Sequence, residues 1–225
     1  LKHLYQTKMN IETTPIKDLI IINPSVYEDN RGYFFESYNQ RFFREQGIYT
    51  NFVQDNQSIS VKGVLRGLHF QKIAPQAKLV RCIVGEVYDV VVDLRKSSET
   101  YKKWFGVKLS EDNMKMMFVP KGFAHGFVTL SDVAVFHYKC DELYMPSADG
   151  GIIYNDPEIA LLRKKESLTV QNINYIITSY SQIVFLCREA KETGIEIHRV
   201  KNINDLGKSL LKYNITHGSV IPIYD

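Results

Sequence analysis

Five ionisable side chains stand inside otherwise apolar stretches of this sequence, where a polar group needs a specific reason to be buried. They are His69, Lys78, Asp89, His125 and Tyr138. The carboxylate of Asp89, within VYDVVV, would be desolvated unless a cation or a hydrogen-bond donor meets it. Small residues and glycine flank His125, so a ligand could approach the backbone there. Taken singly, a strand histidine is most often a satisfied half-buried residue, so any chemistry depends on these groups meeting.

The spacing of Arg66 and His69 leaves open whether their side chains lie on the same face of a strand. Both lie in one apolar stretch, VLRGLHFQ, that predicts a strand, and they are an odd number of residues apart. A regular strand would place them on opposite faces. A bulge at Gly67 would bring both side chains to the same face.

A metal centre is rejected because the sequence lacks enough ligands at suitable spacing. There is no His-x-His pair, and His69 and His125 stand alone. Cys82, Cys140 and Cys187 lie far apart, so they predict neither a disulfide framework nor a metal pair. We therefore expect a reducing, cytoplasmic compartment.

Short β-branched and aromatic runs separated by polar turns fill the chain from residue 11 to about residue 156. The predicted strands are residues 19–22, 33–38, 50–54, 57–60, 64–71, 79–84, 87–93, 104–109, 115–119, 126–129 and 134–139. One short helix is predicted at residues 41–47, ended by Gly47. Regular short strands of this kind predict an all-β sandwich or barrel.

The pattern changes after Pro157. Strands are predicted at residues 183–187, 195–200 and 219–223, and helices at residues 188–193 and 206–213. We expect a main domain over residues 11–172 and a mixed α/β C-terminal extension of unknown role over residues 173–225. Residues 1–10 are polar and mixed, and we set them aside as a leader.

The overall composition excludes several classes of protein. The 225 residues are 44% hydrophobic, and 28 basic against 25 acidic residues give a formal charge of +3. So small a basic excess argues against nucleic-acid binding, which needs a concentrated basic face. No apolar run reaches the roughly eighteen residues of a membrane span, so we expect no membrane partner.

A series of short motifs in fixed order runs through residues 15–157. They are DNRGYFFE at 29–36, QDN at 54–56, VLRGLH at 64–69, KLVR at 78–81, YDVVVDLR at 88–95, PKGFAHGF at 120–127, and Tyr138 and Lys139 with Tyr144. With them the chain resembles the dTDP-4-dehydrorhamnose 3,5-epimerase family of deoxysugar enzymes. The resemblance implies a cupin-like β-barrel, a jelly roll, that forms a homodimer.

The resemblance also implies a reaction. The family epimerises a nucleotide-linked 4-keto-6-deoxyhexose at C3 and C5 in rhamnose or deoxysugar biosynthesis. The keto group acidifies the neighbouring hydrogens, so epimerisation needs a base, an acid on the other face and a trap for the enolate. The resemblance implies His69 as the base, Tyr138 as the proton donor and Lys78 as the charge near the enolate oxygen. No metal or organic cofactor is implied.

Further residues match the family's substrate-binding positions. The resemblance implies that Arg66 and His125 surround the sugar and pyrophosphate and that Asp89 positions a histidine or a hydroxyl. It places on the nucleotide side Arg31, Glu36, Gln54, Asp55, Asn56, Tyr144 and Asp149, with Asp149 in place of a glutamate. The base is either thymine or uracil, so the substrate is a dTDP- or UDP-sugar. We expect the two subunits to exchange strands near residues 31–38, which are aromatic and carry Arg31 and Glu36.

One departure from the family leaves three hypotheses open. Asn172 stands where the family has an aspartate paired with the catalytic histidine, and an amide cannot stabilise an imidazolium by charge. The first hypothesis is an epimerase acting at C3 and C5, and the second is a single-site 3- or 5-epimerase. The third is a non-catalytic nucleotide-sugar-binding subunit, which Asn172 favours and His69, Lys78 and Tyr138 oppose.

Overall fold

The computed structural model describes residues 9–152 and 158–159, together with the backbone of three later strands at 175–177, 196–200 and 220–224. In chain order the elements are β1 (Asn10–Thr13), β2 (Ile20–Asn23), β3 (Tyr27–Asp29), β4 (Gly32–Phe34), α1 (Gln40–Glu45), β5 (Gln54–Val61), β6 (Val64–Gln71), β7 (Lys78–Val84), β8 (Glu86–Asp93), β9 (Trp104–Ser110), β10 (Met116–Val119), β11 (Phe123–Thr129), β12 (Val133–Cys140), β13 (Asp149–Gly151), β14 (Tyr175–Ile177), β15 (Glu196–Val200) and β16 (Val220–Tyr224). This part of the chain is mostly β-sheet with very little helix, which confirms the all-β prediction. None of its helices is long and apolar enough to cross a bilayer.

Two large sheets form the body of the fold. The first has the order β1-β2-β10-β7-β12-β5, and the second has the order β13-β6-β11-β8-β9 with β14 also on β6. Their inner faces share one apolar core, in which Val80 and Phe136 of the first sheet meet Val91 and Phe127 of the second. The rings of Phe127 and Phe136 stack with their centroids 4.2 Å apart. The two sheets thus enclose a common interior between them.

A second apolar cluster covers the outer face of the first sheet. Helix α1 begins after Asn39, whose side chain accepts hydrogen bonds from the first helical amides. Phe43 of α1 is fully buried, and Tyr38 and Phe52 pack edge-on against it with centroids 5.2 and 6.4 Å away. This packing explains two differences from the predicted strands. Residues 35–38 leave β4 to reach α1, and residues 50–53 lead into β5 as irregular chain.

Strand β6 contains the bulge on which the faces of Arg66 and His69 depend. His69 pairs with His125 of β11 and Arg66 pairs with Phe127, so three steps on β6 oppose two on β11. Gly67 has a φ of +108°, and a Cβ at this residue would lie 2.6 Å from the carbonyl oxygen of His125. The extra residue brings Arg66 and His69 to one face, which a regular strand would not do.

The C-terminal strands add to this body in part. β14 pairs in parallel with the start of β6, and β15 pairs in parallel with β16. The predicted strands at residues 195–200 and 219–223 agree with β15 and β16 to within one residue. The strand predicted at 183–187, the helices predicted at 188–193 and 206–213, and Asn172 lie outside the described residues.

Candidate active site

A pocket of about 400 Å³ opens between the inner faces of the two sheets and is here called the inter-sheet pocket. Eight of the side chains singled out from the sequence line it. They are Asn56, Arg66, His69, Lys78, His125, Tyr138, Tyr144 and Asp149. Phe127 and Phe136 also line it, so the polar groups surround an apolar patch.

The second sheet supplies two imidazoles side by side. His69 of β6 and His125 of β11 are direct cross-strand neighbours, so both point into the pocket. Both carboxylate oxygens of Asp89 lie 2.9 Å from Nε2 of His125, and the Asp89 side chain is fully buried. Burial raises the pKa of Asp89, while His125 and Lys78 oppose that rise. The strand register therefore provides the partner that a buried carboxylate requires.

The first sheet faces these imidazoles with a phenol and an ammonium group. Tyr138 of β12 is opposite Asn56 of β5, and Nζ of Lys78 lies 5.8 Å from the centre of the Tyr138 ring. Burial raises the pKa of Tyr138, so its hydroxyl stays protonated at neutral pH. Burial lowers the pKa of Lys78, an effect that Cys140, Asp89 and Asp149 oppose. An imidazole and a protonated phenol thus stand on opposite walls, with a cation beside the phenol.

The thiol next to this site is not a nucleophile. Cys140 of β12 is fully buried and accepts a 3.8 Å contact from the amide of Asn56. Burial raises the pKa of Cys140 to about 11, so the thiol keeps its proton at neutral pH. The buried, protonated thiol is therefore unsuited to covalent catalysis.

Asp149 lies nearer to the imidazole than its expected place on the nucleotide side suggests. Its Oδ1 is 3.9 Å from Nδ1 of His69. Its charge also contributes to the raised pKa of Tyr144, for which burial is the larger cause.

Four of the residues expected to bind substrate do not line the inter-sheet pocket of their own chain: Arg31, Glu36, Gln54 and Asp55. Arg31 lies at the tip of the β3–β4 hairpin, where its guanidinium pairs with Asp29 at 2.6 Å and its side chain is 85% exposed. Glu36 accepts a hydrogen bond from Asn39 at 2.9 Å. Asp55 points to the outer face of β5, where both its oxygens lie 2.9 Å from Nζ of Lys139.

Two glutamines hold the segment that carries Tyr144, and one of them was not singled out from the sequence. Gln71 ends β6 and is buried, with its Oε1 accepting from the amide of Met145 at 2.6 Å. Its Nε2 donates to the carbonyl of Leu143 at 3.3 Å. Gln54 accepts from the amide of Tyr144 at 2.9 Å, so it acts on the loop rather than on the pocket lining. In the sequence, Gln71 could have been recognised as an amide side chain at the end of an apolar predicted strand.

The comparisons with known proteins agree on one family. The model of the family described as dTDP-4-dehydrorhamnose 3,5-epimerase matches residues 13–175. The chain belongs to this family. The protein of that name from Methanothermobacter thermautotrophicus is 56% identical over 148 residues, which cover 66% of this chain and 80% of the relative. The one from Salmonella typhimurium is 54% identical over 155 residues, covering 68% of this chain and 85% of the relative.

A solved structure extends the agreement to the fold. The dTDP-6-deoxy-D-glucose-3,5-epimerase from Legionella pneumophila, in complex with dTDP-4-keto-L-rhamnose, superimposes with a TM-score of 0.72 at 44% identity. The match covers 79% of this chain and 91% of that protein. The two packed sheets are therefore the cupin-like fold that the motif resemblance implied, and the family's enzymes are isomerases. Within the described residues, no group of three His, Cys, Asp or Glu side chains is placed to hold a metal.

Proposed function

We propose that this protein converts dTDP-4-dehydro-6-deoxyglucose to dTDP-4-dehydrorhamnose by epimerisation at C3 and C5, in rhamnose or deoxysugar biosynthesis. The observation that carries this proposal is the placement of His69 and Tyr138 on opposite walls of the inter-sheet pocket. Inversion at carbon requires a proton to leave one face and another to arrive on the opposite face. Lys78 lines the same pocket and supplies the positive charge that an enolate needs.

The residues suggest the following steps. Neutral His69 takes the proton from the carbon next to the keto group, and the C–H electron pair moves into an enolate with its charge on the C4 oxygen. Lys78 stabilises that oxygen electrostatically. Tyr138 then donates its phenolic proton to the opposite face, the carbonyl re-forms, and the configuration is inverted. His69 loses its proton and Tyr138 regains one by exchange with solvent, so the pair is ready for the second carbon.

We also propose that the protein is a homodimer in which Arg31 and Glu36 reach the nucleotide in the partner subunit's pocket. In one chain Arg31 lies at the tip of an exposed hairpin, where Tyr33 and Phe34 are 56% and 61% exposed, and Glu36 follows this hairpin. The outer face of β5 and β12 adds Ile59 and Val133, at 66% and 41% exposure. Exposed aromatic and aliphatic side chains on neighbouring elements are suited to a second copy of the chain.

The remaining expectations stand as part of the same proposal. Residues 11–172 form the epimerase domain, and residues 173–225 form a mixed α/β extension. The reaction needs no cofactor, because a base, an acid and a positive charge suffice for proton transfer next to a ketone. The wide separation of Cys82, Cys140 and Cys187 supports a reducing, cytoplasmic compartment.

Deuterium wash-in from heavy water, followed by NMR of dTDP-4-dehydro-6-deoxyglucose, tests the function. We expect deuterium at both C3 and C5 with wild type and at neither carbon with His69→Ala. General-base catalysis contributes about 100- to 10,000-fold, so a His69→Ala rate within about tenfold of wild type contradicts the base role. Lys96→Ala, at an exposed turn outside the pocket, is the control.

The same experiment separates the other hypotheses. Wash-in at one carbon alone identifies a single-site epimerase, and binding without any wash-in identifies a non-catalytic subunit. Tyr138→Phe should still allow exchange with retention, because His69 can return a proton to the face from which it came. Inverted product at the wild-type rate in Tyr138→Phe would show that another group is the acid. Tyr49→Phe, at a tyrosine that is 81% exposed, is the control.

A further inference from the structure

Strand β13 places a carboxylate diagonally across from His69. In the antiparallel register, Gly151 is directly opposite His69 and Asp149 is opposite Gln71. Opposed residues share a face of the sheet, as do residues two apart on a strand, so Asp149 and His69 point to the same side. Gly151 has no side chain, so Asp149 is the side chain of β13 that reaches the imidazole, with Oδ1 3.9 Å from Nδ1.

The backbone around Asp149 is held on both sides. The amide of Lys72 donates to the carbonyl of Ala148 at 2.8 Å, and the amide of Ile152 donates to the carbonyl of Leu68 at 2.9 Å. These bonds continue the pairing of β13 with β6 beyond each end of the strand. The position of the carboxylate therefore follows from the sheet and not from a free loop.

The same arrangement occurs once more in the neighbouring pair of strands. Asp89 of β8 is opposite Phe127 of β11, two residues from His125, and so it is diagonal to that imidazole. In that pair the carboxylate contacts Nε2 at 2.9 Å. The second sheet thus places an aspartate of the next strand diagonal to each imidazole, with a hydrogen bond at His125 and a separation of 3.9 Å at His69.

We infer that Asp149 is a positioning residue for the proposed base, holding His69 with its proton on Nδ1 so that Nε2 is the atom that accepts the substrate proton. This inference rests on the proposed function and specifies how the base is oriented. It assigns Asp149 to the imidazole, where the sequence resemblance implied a contact with the substrate. An aspartate here supplies the negative charge that Asn172, at the family's usual aspartate position, does not have.

The electrostatic consequence has a definite sign. A carboxylate beside an imidazole favours the imidazolium and so raises the pKa of the histidine. The charged and titratable groups that line the pocket with His69 are Arg66 of the same strand and Lys78, His125, Tyr138 and Tyr144 of other parts of the chain. The cations among them act in the opposite direction to Asp149. The base works in its neutral form, so kcat/KM falls on the acid side of its pH profile, the acid limb, as His69 becomes protonated. Removal of the Asp149 charge lowers the pKa of His69 and should therefore move the acid limb to lower pH.

The first measurement is made on the unmodified protein and needs no turnover. Long-range ¹H–¹⁵N spectra of ¹⁵N-histidine-labelled protein, with His69→Gln used to assign the signal, report which ring nitrogen carries the proton. We expect the neutral His69 ring to carry it on Nδ1. A neutral ring protonated on Nε2 would overturn the inference, even if the protein proves to be an active epimerase.

The second measurement compares three variants by the pH profile of kcat/KM with dTDP-4-dehydro-6-deoxyglucose. In Asp149→Asn we expect kcat to fall by about tenfold to a hundredfold and the acid limb to move to lower pH, since a misdirected base loses its alignment. Asp149→Glu keeps the charge and should keep the limb near its wild-type position. Asp112→Asn, at an exposed turn, controls for the loss of one negative charge.

Each result decides the question. A raised KM with kcat and the acid limb unchanged in Asp149→Asn would identify a substrate contact instead and refute the positioning role. If Asp149→Asn does not fold, two measurements still test the inference: the tautomer of His69 in wild type and the pH profile of Asp149→Glu. Because Asp149→Glu keeps the negative charge, an acid limb that moves to lower pH in this variant would exclude the pairing of Asp149 with His69. Absence of epimerisation in wild type would refute the proposed function and leave the tautomer measurement intact.

Discussion

Replacement of Gly67 by alanine tests whether the bulge in β6 builds the active site. The added Cβ would lie 2.6 Å from the carbonyl oxygen of His125 and 2.7 Å from Cα of Gly126, both backbone atoms of β11. Gly67 also has a φ of +108°, which side-chain-bearing residues rarely adopt. Gly67→Ala therefore combines backbone strain with a steric clash between the two strands that carry the imidazoles.

The two contributions can be separated with a matched control. Gly32 has a similar φ of +123°, and its Cβ would meet no atom within 4 Å. Strain at such a φ costs about 1–3 kcal/mol and is shared by Gly67→Ala and Gly32→Ala. Overpacking costs about a further 1–3 kcal/mol and applies to Gly67→Ala alone. The difference between the variants therefore measures the close approach of β6 and β11.

Thermal unfolding followed by circular dichroism gives that difference. One kcal/mol shifts Tm by about 2–4 °C in a chain of this size, so Gly67→Ala should melt about 2–12 °C below Gly32→Ala. Epimerisation by the folded Gly67→Ala protein should fall by about a hundredfold, because strands pushed apart displace His69 from its working position. Melting temperatures within about 1 °C of each other, together with wild-type turnover, would refute the reasoning.

Three further predictions concern the pocket and the dimer. Because burial lowers the pKa of Lys78, kcat/KM should begin to fall at a pH below the usual range of a lysine. Lys78→Gln should lose this alkaline limb, and Tyr138→Phe should keep it. Asp89→Asn removes a buried charge-assisted hydrogen bond and should lower the free energy of unfolding by about 1.5–3 kcal/mol in urea titrations, whereas an unchanged value would mean that the pair with His125 does not stabilise the fold. If Arg31 acts in the partner's pocket, mixing inactive Arg31→Ala and His69→Ala chains should restore part of the epimerisation, whereas a monomer by light scattering at micromolar concentration would contradict the dimer.

Much of the fold could be predicted from the sequence because strand patterns are local. The stretch VLRGLHFQ agrees with β6 residue for residue, and the single early helix lies within two residues of its predicted limits. The motif order was specific enough to indicate the family, and several of the motifs carry side chains that the fold brings to one pocket, among them His69, Lys78 and His125. The predicted strands at 33–38 and 50–54 were too long, because residues 35–38 and 50–53 are irregular and Tyr38 and Phe52 pack with Phe43 of α1 instead of marking sheet pairing.

The contacts that define the site were decided by tertiary structure. The spacing of Arg66 and His69 along one strand leaves open whether their side chains share a face. The bulge at Gly67, where β11 approaches closely, places them on the same face. Asp89 required a partner on burial grounds, and only the register of β8 with β11 identifies that partner as His125. Register also brings Asp149 to His69: the two are eighty residues apart in the chain, but they lie diagonally across from each other on paired strands of the sheet. Strand alternation sets the face of each side chain locally, whereas the opposing residue is chosen by register between segments that the sequence keeps far apart.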